Sequence, residues 1–268
     1  MENAVVPALL ATLFTWLVTA LGASTVIFFK RIDQKGMNLM LGFAAGVMIA
    51  ASFWSLLLPA IERAEQSASF PSWLVATLGF MCGAFFIWLS DKTVTRAERK
   101  VSAHSQKDRS ERFHRVFLLI LSITLHNVPE GLAVGVAFGA LAHTGYSPEA
   151  FMGAVTIAVG IALQNFPEGA AVSVPLRREG YSVKKSIFLG QASGMVEPIA
   201  GVIGALAVVY IESILPFALS FAAGTMILVA VHELIPECQS NKDAHPYFAT
   251  MGIIAGFALM MLLDVALG

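Results

Sequence analysis

Two segments of this chain repeat a polar pattern inside apolar sequence. Leu125-His-Asn-Val-Pro-Glu-Gly-Leu-Ala-Val134 and Leu163-Gln-Asn-Phe-Pro-Glu-Gly-Ala-Ala-Val172 share Asn, Pro, Glu and Gly at identical spacing, 38 residues apart. His126 and Glu130 are four residues apart, so a helix stacks them on one face, and the same holds for Gln164 and Glu168. Asn127 and Asn165 follow one residue later, rotated by about 100°, so one helix can serve two adjacent positions. Glu197, His232 and Glu233 are further ionisable groups within apolar runs. Such groups are costly inside a bilayer and functional by default. Imidazole, carboxylate and amide together suit a first-row divalent cation. An all-oxygen Ca²⁺ or Mg²⁺ site leaves His126 without a role. A proton relay and polar contacts between helices are open readings of the same residues.

Pro129 and Pro167 belong to the pattern. A proline inside a helix removes its own N–H bond and frees a carbonyl one turn earlier, here those of Leu125 and Leu163. Gly131 and Gly169 allow a neighbouring helix to approach closely. Val231-His-Glu-Leu-Ile-Pro236 begins like the zinc-protease pattern H-E-x-x-H, but Pro236 stands where the second His is required. The chain is therefore expected not to be an enzyme.

The elements that must carry these residues are membrane helices. Of 268 residues, 57% are hydrophobic and 13% charged, far from the roughly 25% charge of a soluble domain. A net charge of −1 offers no basic face for nucleic acid. Cys82 and Cys238 are too few for a disulfide framework and read as packing residues. A helix crosses the hydrocarbon core with about 20 apolar residues. Eight such runs are expected, at 5–29, 36–60, 72–91, 116–141, 148–175, 185–210, 213–236 and 246–267, forming one transmembrane domain over 1–268. The first run is read as retained, not as a cleaved signal.

With eight spans, every Lys and Arg except Arg63 falls in the loops at one end: near 30–35, across 92–115, at 177–185 and at Lys242. The positive-inside rule puts those loops in the cytoplasm and both termini outside. The stretch 92–115 reads as a flexible, partly helical cytoplasmic linker, with His104 and His114 as solvated loop residues.

The ten-residue match lies in adjacent spans. A second, Phe43-Ala-Ala-Gly-Val-Met48 against Phe221-Ala-Ala-Gly-Thr-Met226, has an offset of 178 and joins spans 2 and 7. Both pairs are an odd number of spans apart, so their members run in opposite directions. Inverted repeats with interrupted helices at their interface mark a transporter.

The paired motifs His126-Asn-x-Pro-Glu130-Gly and Gln164-Asn-x-Pro-Glu168-Gly, with Gln191-x-Ser-Gly-x-Val-Glu197-Pro in span 6, resemble the ZIP (Zrt/Irt-like) metal transporter family and within it the GufA-like or ZIP11-like branch. The resemblance covers the whole chain. It implies an all-α integral membrane protein with eight transmembrane helices in an inverted 3+2+3 repeat, and a binuclear metal centre. It implies a first site of Met48, His126, Glu130, Gln164, Glu168 and Glu197, and a second of Asn127, Asn165 and the shared carboxylates. His232 and Glu233 resemble exit-side ligands. Residues alone make Met48 an ordinary core methionine. Asn165 stands where many relatives carry Asp, which removes one negative charge from the second site. The expected activity is transport of Zn²⁺ as bound substrate into the cytoplasm, with Fe²⁺, Mn²⁺ and Cd²⁺ left open. The alternative is a metal- or proton-gated channel, or a proton-coupled transporter of another ion. No catalytic cofactor is expected. The expected partners are divalent metal ions and the lipid bilayer of a bacterial cytoplasmic membrane, with a homodimer left open. Glu62, Ser55 and Glu65 are candidates for collecting ions at the outer end, and Asp264 and Asp91 read as interfacial.

Overall fold

The structure is a computed structural model that describes residues 4–28, 33–67, 70–102, 124, 127–143, 147–178, 180–239 and 247–267. His126, and most of the expected linker 92–115, lie outside the described residues.

Among the described residues the regular structure is all helical. Helix α1 is Val5–Ser24, prolonged by a 3₁₀ turn at Thr25–Ile27. Helix α2 runs Gln34–Ala51 and passes through a π-helical stretch, Ser52–Leu57, into Leu58–Ser67. Helix α3 is Ser72–Ser102, so it continues well past the expected end of its span into the linker. Helix α4 is described over 127–143 and α5 is Pro148–Arg178. Helix α6 joins Val183–Ala192 to Val196–Tyr210 through a 3₁₀ turn at Ser193–Met195. Helix α7 joins Leu215–Val229 to Ile235–Gln239 through a π-helical stretch, Ala230–Leu234. Helix α8 is Tyr247–Leu267.

Local chemistry sets several of these ends. Ser147 caps α5, its hydroxyl oxygen accepting from the Ala150 N–H at 3.1 Å, with Pro148 at the first position and Glu149 in the first turn. Gly180, at φ +90°, makes the turn into α6, which Ser182 caps by accepting from the Lys185 N–H at 3.3 Å. Helix α5 remains continuous through Pro167, where an interruption was expected. The lost N–H affects one rung, and the rungs on either side carry the helix across.

Among the described residues, seven stretches are long and apolar enough to cross a membrane: Val5–Ile27, Lys35–Gln66, Ser72–Thr93, Pro148–Val174, Val183–Tyr210, Leu215–Gln239 and Tyr247–Ala266. Of these seven stretches those of α2 and α7 are the most enclosed, whereas those of α1, α3 and α8 are the least. The outer helices expose Leu10, Leu17, Phe85 and Leu262 by more than half, a surface that only lipid tolerates. The chain is an integral membrane protein.

Lipid is as apolar as leucine, so helices associate by close packing and by polar contacts. Helix α8 packs along α2, α3 along α7, and α1 along α5. A Cβ added at Gly46 in α2 would strike the Ile253 carbonyl of α8, and one at Gly224 in α7 would strike the Phe80 carbonyl of α3. At Gly131 in α4 the clash is with the Glu197 carbonyl of α6, and at Gly169 in α5 it is with the Thr19 carbonyl of α1. Gly46 and Gly224 are 178 residues apart, as are Thr19 and Glu197, and so are the first residues of the two π-helical stretches, Ser52 and Ala230. That is the offset of the second sequence match.

Candidate metal centre

The polar residues of the repeat converge where α1, α4, α5 and α6 meet. Glu130, Gln164 and Glu197 have no exposed surface, and Asn127 and Asn165 have 1% each. Glu197 follows the 3₁₀ turn Ser193–Met195 and sits in the first turn of the α-helical segment Val196–Tyr210. The close approach at Gly131 brings α4 against this turn. Gln164 Nε2 donates to Glu130 Oε1 at 2.5 Å, joining α5 to α4. Asn165 Nδ2 reaches both oxygens of Glu197, at 3.0 and 2.9 Å, and the Thr15 carbonyl at 3.3 Å. The Thr15 hydroxyl also donates to Glu197 Oε2.

Each amide thus turns its nitrogen toward a carboxylate, and the remaining oxygens have no donor. Asn127 Oδ1, Glu130 Oε2, Gln164 Oε1 and Asn165 Oδ1 are all buried without a hydrogen-bond partner. An unsatisfied buried acceptor costs about 1–3 kcal/mol, more when charged. A positive charge shared among these acceptors would satisfy them. Glu168, 8% exposed, completes the set and lies within electrostatic reach of Glu130, Glu197 and Glu233. Among the described residues, no three His, Cys, Asp or Glu side chains close on a single point. Carboxylate and amide oxygens together are donors of the kind that suit a divalent cation.

Three further predicted residues lie on α2 and α7. Met48 is fully buried within the main apolar cluster among Ala133, Val134 and Ile161. His232 and Glu233 are adjacent in the π-helical stretch of α7 yet diverge. His232 is exposed and 3.6 Å from Asp91 of α3, whereas Glu233 is half-buried on the side of Glu168.

At the opposite end of the bundle, a cavity of about 420 Å³ is lined by Ser55, Glu62, Ile157, Leu219 and Asp264 among others. Ser55, within the π-helical stretch of α2, donates to Asp264 Oδ1 of α8, and Asp264 Oδ2 is buried without a partner. Asp264 therefore faces the cavity, not the interface expected of it. Sequence reasoning also missed Thr15. Its signal was present as Thr12, Thr15 and Thr19, which fall on one face of an apolar helix and are all buried.

Comparison with known proteins points to one family. The family model described as ZIP Zinc transporter matches residues 5–115 and 97–264. The chain is 39% identical over 342 residues to "Zinc transporter ZIP11" of Homo sapiens, covering 100% of the chain and 99% of the relative. It is 35% identical over 262 residues to "Zinc transporter GufA" of Myxococcus xanthus, covering 97% and 98%. "Zinc transporter ZIPB" of Bordetella bronchiseptica is 37% identical over 252 residues, which cover 93% of this chain and 78% of that one.

Proposed function

The chain belongs to the ZIP family of zinc transporters, and from that membership we propose that it carries Zn²⁺ into the cytoplasm through the centre built by α4, α5 and α6. The observation that carries this reading is the cluster of four buried, donorless oxygens on Asn127, Glu130, Gln164 and Asn165. The ion enters at the cavity of Ser55, Glu62 and Asp264 and exchanges water for Glu130, Gln164, Glu168 and Glu197. It leaves past Glu233 toward His232 and Asp91. His126, four residues before Glu130, adds the imidazole, and Asn127 and Asn165 with the shared carboxylates serve a second ion. Met48 closes the first site from α2.

We read the topology as eight spans with both termini outside, in an inverted 3+2+3 repeat. Supporting this are the confinement of basic residues to alternate loops and the 178-residue offset shared by the sequence match, the π-helical stretches and the close packing points. In this reading α1, α4, α5 and α6 move as one body against α2, α3, α7 and α8, exposing the centre to each side in turn. The chain acts as a carrier and not as an enzyme. Its relatives bear transporter names, and the protease-like stretch of α7 ends in Pro236.

The test is radioactive zinc uptake by the purified chain in liposomes. Uptake that saturates with zinc and is lost in Glu130→Ala combined with Glu168→Ala is the expected result. Normal uptake by that variant removes the central site from the pathway. Competition by Fe²⁺, Mn²⁺ and Cd²⁺ in the same vesicles sets the substrate range.

A further inference from the structure

Thr15 lies in α1, which carries none of the ligands expected from the sequence, yet it touches two of them. Its side chain is fully buried. In a membrane helix a threonine hydroxyl ordinarily bonds the carbonyl three or four residues back, as Thr12 does to Ala8 at 2.8 Å. Thr15 has such an acceptor too, the Thr12 carbonyl at 3.0 Å, but its hydroxyl also reaches Glu197 Oε2. A hydroxyl has one proton, and a carboxylate is the stronger acceptor. The Thr15 carbonyl, in turn, faces Asn165 Nδ2 at 3.3 Å.

These contacts fix which way the Asn165 amide points. With Nδ2 toward α1 and α6, its two N–H groups meet three acceptors: both Glu197 oxygens and the Thr15 carbonyl. Reversing the amide would set Oδ1 against the same three acceptors with no proton between them. Asn165 Oδ1 is therefore held facing away from Glu197, buried and without a donor. Trp16 Nε1 donates to the Gln191 carbonyl at 2.8 Å and pins α1 against α6 beside this contact.

We propose that Thr15 is a positioning residue for the second metal ion: its hydroxyl orients Glu197, and through Glu197 and its own carbonyl it aims Asn165 Oδ1 at that ion. The inference rests on the metal-centre reading above and adds to it a residue from a fifth helical face. Because Asn165 is neutral, the second ion depends on where its oxygen points, and the Thr15 hydroxyl secures the carboxylate against which the amide is set. Partners of this kind typically change metal affinity by about 10- to 100-fold when removed.

The test titrates the full-length chain in detergent with Cd²⁺ and counts bound metal by plasma mass spectrometry. The wild type is compared with Thr15→Val, which keeps the shape and loses the hydroxyl, and Thr15→Ser, which keeps the hydroxyl and loses the methyl. The expected result is two ions per wild-type chain. Thr15→Val retains the tighter ion and binds the other about tenfold more weakly, while Thr15→Ser stays near wild type. Thr15→Ala makes the same comparison if the valine variant does not fold. A wild type with two ions and a Thr15→Val that matches it overturns this inference alone. So does a Thr15→Ser that falls as far as Thr15→Val, because packing of the methyl group then explains the loss. A wild type that binds one ion overturns the inference together with the binuclear part of the reading, and one that binds none overturns both entirely.

Discussion

Gln164 of α5 donates from Nε2 to Oε1 of Glu130 in α4 at 2.5 Å, and the oxygens left over, Gln164 Oε1 and Glu130 Oε2, are buried with no donor. A neutral amide can orient a carboxylate but cannot neutralise it, so in the proposed reading a cation completes the pair. Glu130→Gln removes the charge and keeps the shape. It is expected to lower zinc uptake in liposomes by at least about tenfold, in line with the loss of a charged ligand. Gln164→Ala removes only a neutral oxygen and should raise KM several-fold with uptake retained. Equal losses in the two variants would mean that charge is not what the site requires.

Zinc uptake should weaken in acid. Carboxylates bind metal when deprotonated, so each proton taken up as pH falls competes with the ion and must be released when the ion binds. Between about pH 7.5 and about pH 6, the KM for zinc should rise by up to about tenfold per pH unit for each proton displaced. Uptake measured with equal pH on both sides of the vesicle tests this without a proton gradient. A KM that is flat or falls on acidification contradicts it.

The outer cavity makes a separate prediction. Ser55 holds one oxygen of Asp264 and leaves the other buried and free, at a place that faces Glu62 across the cavity. Asp264→Asn should raise KM several-fold and leave the maximal rate nearly unchanged, because the ion is collected there and not carried. A fall in maximal rate with unchanged KM would place Asp264 in the moving machinery.

Packing around the centre is tight at Gly131. An added Cβ would lie 2.8 Å from Glu197 Cα and 2.9 Å from Ala200 Cβ, whereas at Gly153 nothing lies within 4 Å. Gly131→Ala is expected to cost about 1–3 kcal/mol through overpacking. Gly153→Ala should be neutral or stabilising, since alanine is the better helix former. Thermal unfolding in detergent compares the two, and a Gly131→Ala chain as stable as the wild type would refute the close approach of α4 to α6.

Much of the centre was legible in the sequence because it departs from what a membrane helix normally contains. Asn, Pro, Glu and Gly at one spacing, twice, cannot be explained by hydropathy, and Glu130, Gln164, Asn165 and Glu197 do meet in space. Thr15 was legible only as one of three threonines on one face of α1, because a threonine in an apolar helix can satisfy itself on its own backbone. The π-helical stretches at Ser52–Leu57 and Ala230–Leu234 were hidden for a related reason. They insert one residue into a turn; Pro59 and Pro236, two residues beyond each stretch, disturb the rungs of Ser55 and His232 but do not by themselves specify a π-helix, and the stretches re-aim Ser55 and Glu233 in ways that regular helical spacing does not predict. Asp264 looked interfacial because it lies near a helix end, and only its contact with α2 turns it inward.

The most direct measurement is anomalous X-ray diffraction at the zinc absorption edge from crystals of the full-length chain grown with zinc. The account predicts a peak bounded by Glu130, Gln164 and Glu168, with a second beside Asn165 and Glu197. Peaks confined to the surface or to His232 and Asp91, with none among the buried oxygens, would contradict it.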